Sequence, residues 1–201
     1  VSWRSSNMLV DTSLPTDLHK VKEASILANE LGFDGIFAAE VTADPFVTSA
    51  VASQHVQNMD LGTKIAVAFA RTPMTTAYAA YNLGELSDGR FHLGLGTQVR
   101  AHVTRRFSMP WSQPSARMRE YVVAMKEIWS SWRTGDPLAF SGEFYEHSLM
   151  TEYFVPPTTT AAPPPVWLAA VGPRLAEVAA EVADGTVLHG FWTRAHMDKV
   201  L

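Results

Sequence analysis

The sequence predicts an α/β fold, a (β/α)8 TIM barrel of which this chain holds about six of the eight strands. Short apolar runs alternate with segments whose apolar residues recur at spacings of three and four, the pattern of strands followed by helices. Two runs, residues 65–70 and 166–171, are apolar at every position, which is typical of parallel strands buried on both faces. An open doubly wound sheet is disfavoured because Val99 stands where the third glycine of a Gly-x-Gly-x-x-Gly fingerprint would fall.

Six strands are predicted, and a helix follows each of the first five. The strands cover residues 7–14, 33–41, 61–70, 90–96, 165–172 and 185–191. Thr16 is expected to cap the first helix and Gly32 to end it. Asp44 and Thr72, each followed by a proline, are expected to cap the second and third helices. The fourth helix is predicted over residues 115–133, and the fifth begins at Pro173.

Residues 136–165 interrupt this alternation. The stretch "LAFSGEFYEH" indicates a small hairpin that turns at Ser141 and Gly142, and "VPPTTTAAPPP" is a stiff, low-complexity segment. Because strands and helices alternate again afterwards, we interpret 136–165 as an insertion on a barrel loop within one partial domain, residues 1–201. The sequence stops inside a predicted helix, so we expect strands seven and eight to be missing from it.

The composition excludes several classes of function. The formal net charge of −4 arises from 20 acidic and 16 basic residues without long runs of either sign, which argues against nucleic-acid and membrane-surface partners. There is no cysteine, so disulfides and thiolate chemistry are excluded. No apolar run approaches the roughly 20 residues of a membrane helix, and the first residues lack the apolar core of a signal peptide. We therefore expect a cytoplasmic protein.

The ends of the predicted strands are poor in groups that perform chemistry by themselves. No histidine or carboxylate cluster has metal-binding spacing, so no metal is expected, and no Gly-x-Ser-x-Gly nucleophile motif is present. This composition suits a cofactor that supplies the reactivity while the protein positions it. The residues at the carboxyl ends of the strands, where barrels carry their sites, are Asp11, Thr12, Ser13, Glu40, Phe69, Arg71, Gly96, Thr97, Gln98, Gly172, His189 and Gly190.

The loop "GLGTQVRAH" after the fourth strand has two interpretations. Gly94 and Gly96 allow another group to approach the backbone, and the N–H groups of Thr97, Gln98 and Val99 would meet an anion there. Alternatively, the glycines relieve crowding between strands and the arginines that follow are a solvated face. A lone Gly-x-Gly pattern leaves both interpretations open.

Glu40, at the end of the second strand, is equally ambiguous. A carboxylate at this position is suited to proton transfer or to binding a ring nitrogen of a cofactor. The alternative is a structural ion pair with a neighbour such as Arg71.

Six motifs in order resemble the bacterial-luciferase-like superfamily of flavin and deazaflavin enzymes, most closely its actinobacterial branch that uses coenzyme F420. They are "LGFDGIFAAE", "LGTKIAVAFARTP", "LSDGRFHLGLGTQVRAH", "RMREYVVAMKEIW", "FSGEFYE" and "VWLAAVGPRLAEVAAEVADG". The resemblance implies an eight-stranded barrel, often dimeric, with the cofactor ring at the carboxyl face and a small-molecule substrate. Members of the superfamily are longer than this chain.

The resemblance also implies roles for particular residues. A non-proline cis peptide that supports the cofactor ring falls within Lys64, Ile65 and Ala66, and Glu40 is the acidic residue near the ring and the catalytic candidate. The phosphate-binding loop corresponds to Gly96, Thr97, Gln98 and Val99, and a further cofactor contact to Val171 and Gly172. Many relatives have a small residue where this chain has Gln98, so the Gln98 side chain must point away from a phosphate.

Four functions therefore stand as hypotheses. The leading one is an oxidoreductase that transfers a hydride between coenzyme F420 and an organic substrate. The first alternative is an FMN-dependent monooxygenase on the same scaffold. The second is a shortened, non-catalytic flavin-binding protein. An enzyme that binds a sugar phosphate at this loop ranks lowest, because such sites usually use the loops after strands seven and eight.

Overall fold

Strands and helices alternate along the chain in the computed structural model, which describes residues 8–157 and 162–200. The strands are β1 (Asp11–Ser13), β2 (Gly35–Ala38), β3 (Asp60–Thr63), β4 (Ala66–Val67), β5 (Phe91–Gly96), β6 (Phe140–Ser141), β7 (Glu146–His147), β8 (Val166–Ala170) and β9 (Gly185–Leu188). The helices are α1 (Leu18–Glu30), α2 (Pro45–Ser53), α3 (Pro73–Leu86), α4 (Arg100–Arg105), α5 (Pro114–Thr134), α6 (Pro173–Val182) and α7 (Arg194–Val200). Two short 3-10 helices lie at Ala68–Ala70 and Glu152–Phe154.

The main sheet is parallel, curled and ordered as the chain runs. Its strands pair in the order β1-β2-β3-β5-β8-β9, and β4 also pairs with β5. A doubly wound sheet reverses its strand order at a switch point, whereas a barrel adds each new strand on the same side. The unreversed order confirms the predicted barrel class, with six strand positions forming part of the barrel.

The predicted third strand, 61–70, is wrong in its second half. A cis peptide between Lys64 and Ile65 divides it into β3 and β4, and the chain then turns into the 3-10 helix Ala68–Ala70. The apolar run is buried as predicted, but burial alone does not distinguish a continuous strand from a strand that ends in a turn.

Helix caps follow the sequence signals with one exception. The Asp44 carboxylate accepts hydrogen bonds from the N–H groups of residues 46 and 47, and Thr72 forms a capping box with Thr75. Thr16 does not cap α1, because the helix begins one residue later than expected and the Asp17 carboxylate accepts from the N–H of His19 at 3.1 Å. Gly32 follows the end of α1 with a φ of +76°, as predicted.

The core lies between the outer face of the sheet and the helices. The predicted apolar face of α5 is buried, and α5 packs between α3 and α6. Its members are Met118, Tyr121, Val122, Met125, Trp129 and Trp132. The Trp129 ring N–H donates to the carbonyl of Ala77 at 3.1 Å, which ties α5 to α3. Within the described ranges, no helix is both long and apolar enough to cross a membrane.

The concave face of the sheet carries a small aromatic cluster. The rings of Phe37, His92 and Trp167 lie 4.6–6.4 Å apart. The ammonium group of Lys64 stands 3.8 Å from the centre of the Phe37 ring and 2.6 Å from a carboxylate oxygen of Asp11.

The predicted hairpin is present as β6 and β7, joined by residues 142–145. The Glu120 carboxylate of α5 accepts hydrogen bonds from the N–H groups of Glu143, Phe144 and Tyr145 at 2.6–2.9 Å. The hairpin is thereby fastened to α5. Residues 158–161 of the proline-rich segment lie outside the described residues, and the assignment of 136–165 as an insertion stays a prediction.

Candidate functional site

The carboxyl ends of the parallel strands meet at one edge of the sheet, and the loops after β2, β4, β5 and β8 cluster there. This is the edge at which barrel proteins carry their sites. Two cavities open between these loops, one of about 550 Å³ beside the loop after β5 and one of about 410 Å³ beside Glu40.

The larger cavity, here called the anion cavity, brings together predicted residues from two distant parts of the chain. Thr97, Gln98 and Val99 line one side and Gly172 lines the other. The complete lining is Thr97, Gln98, Val99, Arg100, Trp111, Pro114, Ser115, Gly172, Pro173, Arg174 and Leu175. Val171 does not belong to this lining: its side chain is 61 % exposed, and its carbonyl lies 3.3 Å from a ring nitrogen of His196.

Two arginines give the anion cavity a positive charge. Arg100 begins α4, directly after the loop that follows β5, and is one of the arginines noted after this loop in the sequence, whereas Arg174, in the first turn of α6, was missed. Trp111 and Ser115 were also missed, because they precede or begin α5, far in sequence from the glycine-rich stretch. The predicted helix starts at Ser115 and Pro173 marked these positions as helix entries, but nothing in the sequence placed them together.

The loop after β5 already uses part of its own polar capacity. The hydroxyl of Thr97 donates to the carbonyl of Gln98 at 3.0 Å, and the side-chain oxygen of Gln98 accepts from the N–H of Val99 at 2.9 Å. Gln98 has a φ of +60°, in the left-handed region that glycine adopts most easily. The Gln98 side chain therefore folds onto the loop and occupies one of the three N–H donors that were predicted to meet an anion.

Gly94 and Gly96 differ in what surrounds them. A Cβ atom on Gly94 would collide with the carbonyl of Thr63 in the adjacent strand, so this glycine serves strand packing. A Cβ atom on Gly96 would meet the Ile65 side chain, 2.8 Å from Cδ1 and 3.0 Å from Cγ1. Both glycines therefore make room for neighbouring protein atoms, Gly94 for the backbone of Thr63 and Gly96 for the Ile65 side chain, as the crowding interpretation expects.

The cis peptide Lys64–Ile65 lies where the resemblance places it. The N–H of Lys64 donates to the carbonyl of Ala38 at 2.8 Å, and the carbonyl of Ile65 accepts from the N–H of Glu40 at 3.2 Å. The Lys64 side chain, in contrast, bonds Asp11 on the concave face. The main chain of Lys64 therefore bonds the last residue of β2, and Ile65 bonds the loop after it.

Glu40 forms the ion pair that the sequence left as an alternative. Its Oε2 atom accepts from Arg71 Nη1 and from the N–H of Val67, both at 2.7 Å, and its side chain is 7 % exposed. Arg71 also binds Asp44 Oδ2 through Nη2 at 2.6 Å. A role for Glu40 in proton transfer stays a prediction.

The charges of this group alter one another's pKa. Burial raises the pKa of the Asp44 carboxyl, but the hydrogen bond from Arg71 and those from two backbone N–H groups outweigh burial, so the net shift is downward. Burial likewise lowers the pKa of Arg71, and the hydrogen bonds to Glu40 and Asp44 reverse this to a net rise. These shifts favour the charged forms of both Asp44 and Arg71.

No group of three or more His, Asp or Glu side chains within the described ranges is arranged to hold a metal ion. The lining of the anion cavity is mainly apolar, and Arg100 and Arg174 are its charged members.

A parallel part-barrel with a cavity at its carboxyl edge is the arrangement of the (β/α) barrel proteins, which carry their ligand sites at this edge. The sequence model of the luciferase-like monooxygenase family matches residues 1–201, and the chain belongs to this family.

Individual relatives agree with this membership. The chain is 44 % identical over 191 residues to the uncharacterized protein Rv1360 of Mycobacterium tuberculosis (strain ATCC 25618 / H37Rv), an alignment that covers 95 % of this chain and 56 % of that protein. It is 33 % identical to the putative coenzyme F420-dependent oxidoreductase Rv3520c of the same organism, over 79 % of this chain and 47 % of that protein. The chain thus spans about half the length of these relatives.

The fold also matches solved structures. The monooxygenase RslO1 from Streptomyces bottropensis superposes with a TM-score of 0.81 at 20 % sequence identity, covering 96 % of this chain and 63 % of that one. At this identity the likeness shows the fold alone.

Proposed function

We propose that this chain forms the cofactor-binding part of an oxidoreductase that uses coenzyme F420, and that the anion cavity holds the phosphate of the cofactor. The observation that carries the proposal is the convergence of Thr97, Gln98, Val99 and Gly172 on one cavity flanked by two arginines. Backbone N–H groups and guanidinium groups are the donors that proteins use for phosphate.

Space in the cavity supports the same proposal. A Cβ atom built on Gly172 would meet nothing within 4 Å, so the backbone here is open to a ligand. Gly172 is also the N-cap of α6, and no side chain caps this helix end. The cavity therefore has room and donors on two of its sides.

The chain's own residues would bind and orient the cofactor. Thr97 and the following loop, with Arg100 and Arg174, would hold the phosphate, while the main chain of Lys64–Val67 would support the ring. When bound, the deazaflavin supplies the redox chemistry as a hydride carrier. The protein contributes by fixing the position of the ring relative to a small organic substrate.

FMN is the second candidate cofactor, for a monooxygenase activity. It carries a phosphate that the same cavity would accept, and solved relatives of this fold include monooxygenases such as RslO1. The relatives named as F420-dependent, Rv3520c and a glucose-6-phosphate dehydrogenase from Intrasporangium calvum, favour F420 instead.

Fluorescence titration of the protein with F420 and with FMN tests the proposal. We expect saturable binding that is tighter for F420, and a loss of at least about tenfold in affinity for Gly172→Val, whose side chain would enter the open cavity. Arg174→Ala should weaken binding, whereas Arg119→Ala, a matched change on α5 that removes an ion pair with Glu181, should not. Equal affinity in all four proteins, or no binding to the wild type, would contradict the proposal.

The proposal includes a homodimer, which the resemblance implies. Light scattering coupled to size-exclusion chromatography is expected to give the mass of two chains. The mass of one chain at micromolar concentration would contradict this part of the proposal and leave cofactor binding unaffected.

A further inference from the structure

Arg71 joins two loops at the carboxyl edge of the sheet through three acceptors. Its Nη1 atom donates to Glu40 Oε2 at 2.7 Å and to the carbonyl of Val67 at 3.1 Å. Its Nη2 atom donates to Asp44 Oδ2 at 2.6 Å, and its guanidinium carbon lies 5.2 Å from the centre of the Phe46 ring. Arg71 therefore ties the loop after β2 to β4 and the start of α2.

Glu40 binds the main chain on both sides of Ala66. Its backbone N–H donates to the carbonyl of Ile65 at 3.2 Å, and its carboxylate accepts from the N–H of Val67 at 2.7 Å. These two bonds hold the segment that directly follows the cis peptide. Among the hydrogen bonds of the described residues, Glu40 provides the only side-chain acceptor for the Val67 N–H.

The two charges depend on each other because both are largely buried. The exposed fraction of the side chain is 7 % for Glu40 and 17 % for Arg71. Removing Arg71 leaves the Glu40 carboxylate without its ion-pair partner in a poorly solvated place, whereas Arg71 keeps Asp44 as a partner when Glu40 is removed. Both donors converge on Oε2 of Glu40, so this atom is engaged in holding the segment.

Glu40 also stands apart from the anion cavity. It lines the separate cavity of about 410 Å³, with Asp44, Arg71 and Arg106 among its neighbours. Arg106 donates through Nη2 to the carbonyl of Val41 at 2.6 Å, which fastens the same loop from the other side.

We propose that Glu40 and Arg71 are positioning residues that fix the Lys64–Val67 segment. The consequence for the cofactor rests on the proposed function: the segment supports the ring only if it is held in place.

The test compares three variants by hydrogen exchange and by cofactor titration. Glu40→Gln keeps an oxygen that accepts from Val67 and Arg71, whereas Glu40→Ala and Arg71→Met each remove one partner of the pair. We expect exchange at the Val67 amide to be at least about tenfold faster in Glu40→Ala and close to the wild-type rate in Glu40→Gln. Thermal unfolding of each variant verifies that it is folded.

Binding of F420 and FMN provides the second measurement. We expect Glu40→Ala and Arg71→Met to weaken binding by about tenfold and to change the visible circular dichroism of the bound ring at saturation, with Glu40→Gln restoring both. The double variant Glu40→Ala/Arg71→Met should bind no more weakly than the weaker single variant, because the pair acts as one unit.

The outcomes separate this inference from the proposed function. Unchanged Val67 exchange in Glu40→Ala overturns the positioning role, whatever the cofactor does. Failure of Glu40→Gln to restore the dichroism, with Val67 exchange intact, also overturns it and assigns the carboxylate a direct role. Absence of cofactor binding in the wild type overturns the proposed function, and the exchange measurement still decides the positioning role.

Discussion

Replacing Gly94 with alanine should destabilise the protein far more than the same change at Gly96. A Cβ atom on Gly94 would fall inside the van der Waals surface of the Thr63 carbonyl oxygen, 3.1 Å from its carbon and 3.7 Å from Lys64 Cα. All three atoms belong to the backbone of the adjacent strand. The Thr63 hydroxyl also donates to the carbonyl of Gly94 at 2.6 Å, so neither strand can move without disturbing this bond.

The expected cost follows from what must move. Overpacking a well-filled interior costs about 1–3 kcal/mol, and displacement of backbone places Gly94→Ala at about 3 kcal/mol. Gly96→Ala meets only the end of the Ile65 side chain, which can rotate, so we expect about 1 kcal/mol or less. Urea unfolding followed by circular dichroism gives both free energies of unfolding.

A matched pair of variants makes the comparison decisive. If Gly94→Ala costs less than Gly96→Ala, the close approach of β3 and β5 is wrong. If Gly96→Ala leaves stability nearly unchanged but weakens binding of F420 and FMN, the effect reaches the ligand through Ile65 and the segment after the cis peptide.

Three further predictions concern the loop after β5 and the hairpin. Gln98→Gly frees the N–H of Val99 and should tighten binding of FMN by about fivefold. Binding of riboflavin, which lacks the phosphate, should not change, and an equal effect on FMN and riboflavin in a fluorescence titration would contradict the prediction. Burial lowers the pKa of His147 from its ordinary 6.5, so the folded state binds fewer protons than the unfolded chain and stability should fall as the pH drops through 6.5. His147→Gln should flatten this part of the pH–stability curve, and an unchanged curve would refute the assignment of this pH dependence to His147. Glu120→Ala removes the acceptor of three N–H groups in the hairpin and should cost about 1–3 kcal/mol with faster hydrogen exchange at residues 143–145; unchanged exchange would show that the hairpin is held by other contacts.

The periodic parts of the fold could be predicted from the sequence. The buried face of α5 and the proline-headed starts of α2 and α3 are local signals, because burial and capping depend on residues a few positions apart. The predicted cap of α1 was wrong by one position: Thr16 was expected, and Asp17 caps the helix. Both side chains can accept a hydrogen bond, and the exact start of the helix decides between them.

Contacts between residues far apart in the sequence were harder to predict than the helices and their caps. The apolar run 61–70 contains no sign of the break after Lys64, and that position was predicted only through the resemblance to a family. The short helix α4 was missed because its six residues are mostly polar and show little periodicity. The bonds of Glu40 to Val67 and Arg71 join residues about thirty positions apart, which local pattern cannot rank against a catalytic role.

The residues that line the anion cavity were predicted only in part for the same reason. The glycine-rich loop and Gly172 were identified, but Arg174 and Trp111 enter the cavity through the folding of distant helices. The Gln98 side chain was expected to point away from a phosphate, and its bond to the Val99 N–H shows where it goes.

A crystal structure of the protein soaked with coenzyme F420 tests the central claim most directly. We predict that the phosphate lies in the anion cavity, within hydrogen-bonding distance of the Thr97–Val99 backbone and of Arg174, with the ring beside Lys64–Val67. A phosphate bound elsewhere, or a ring that makes no contact with the segment after the cis peptide, would contradict the account.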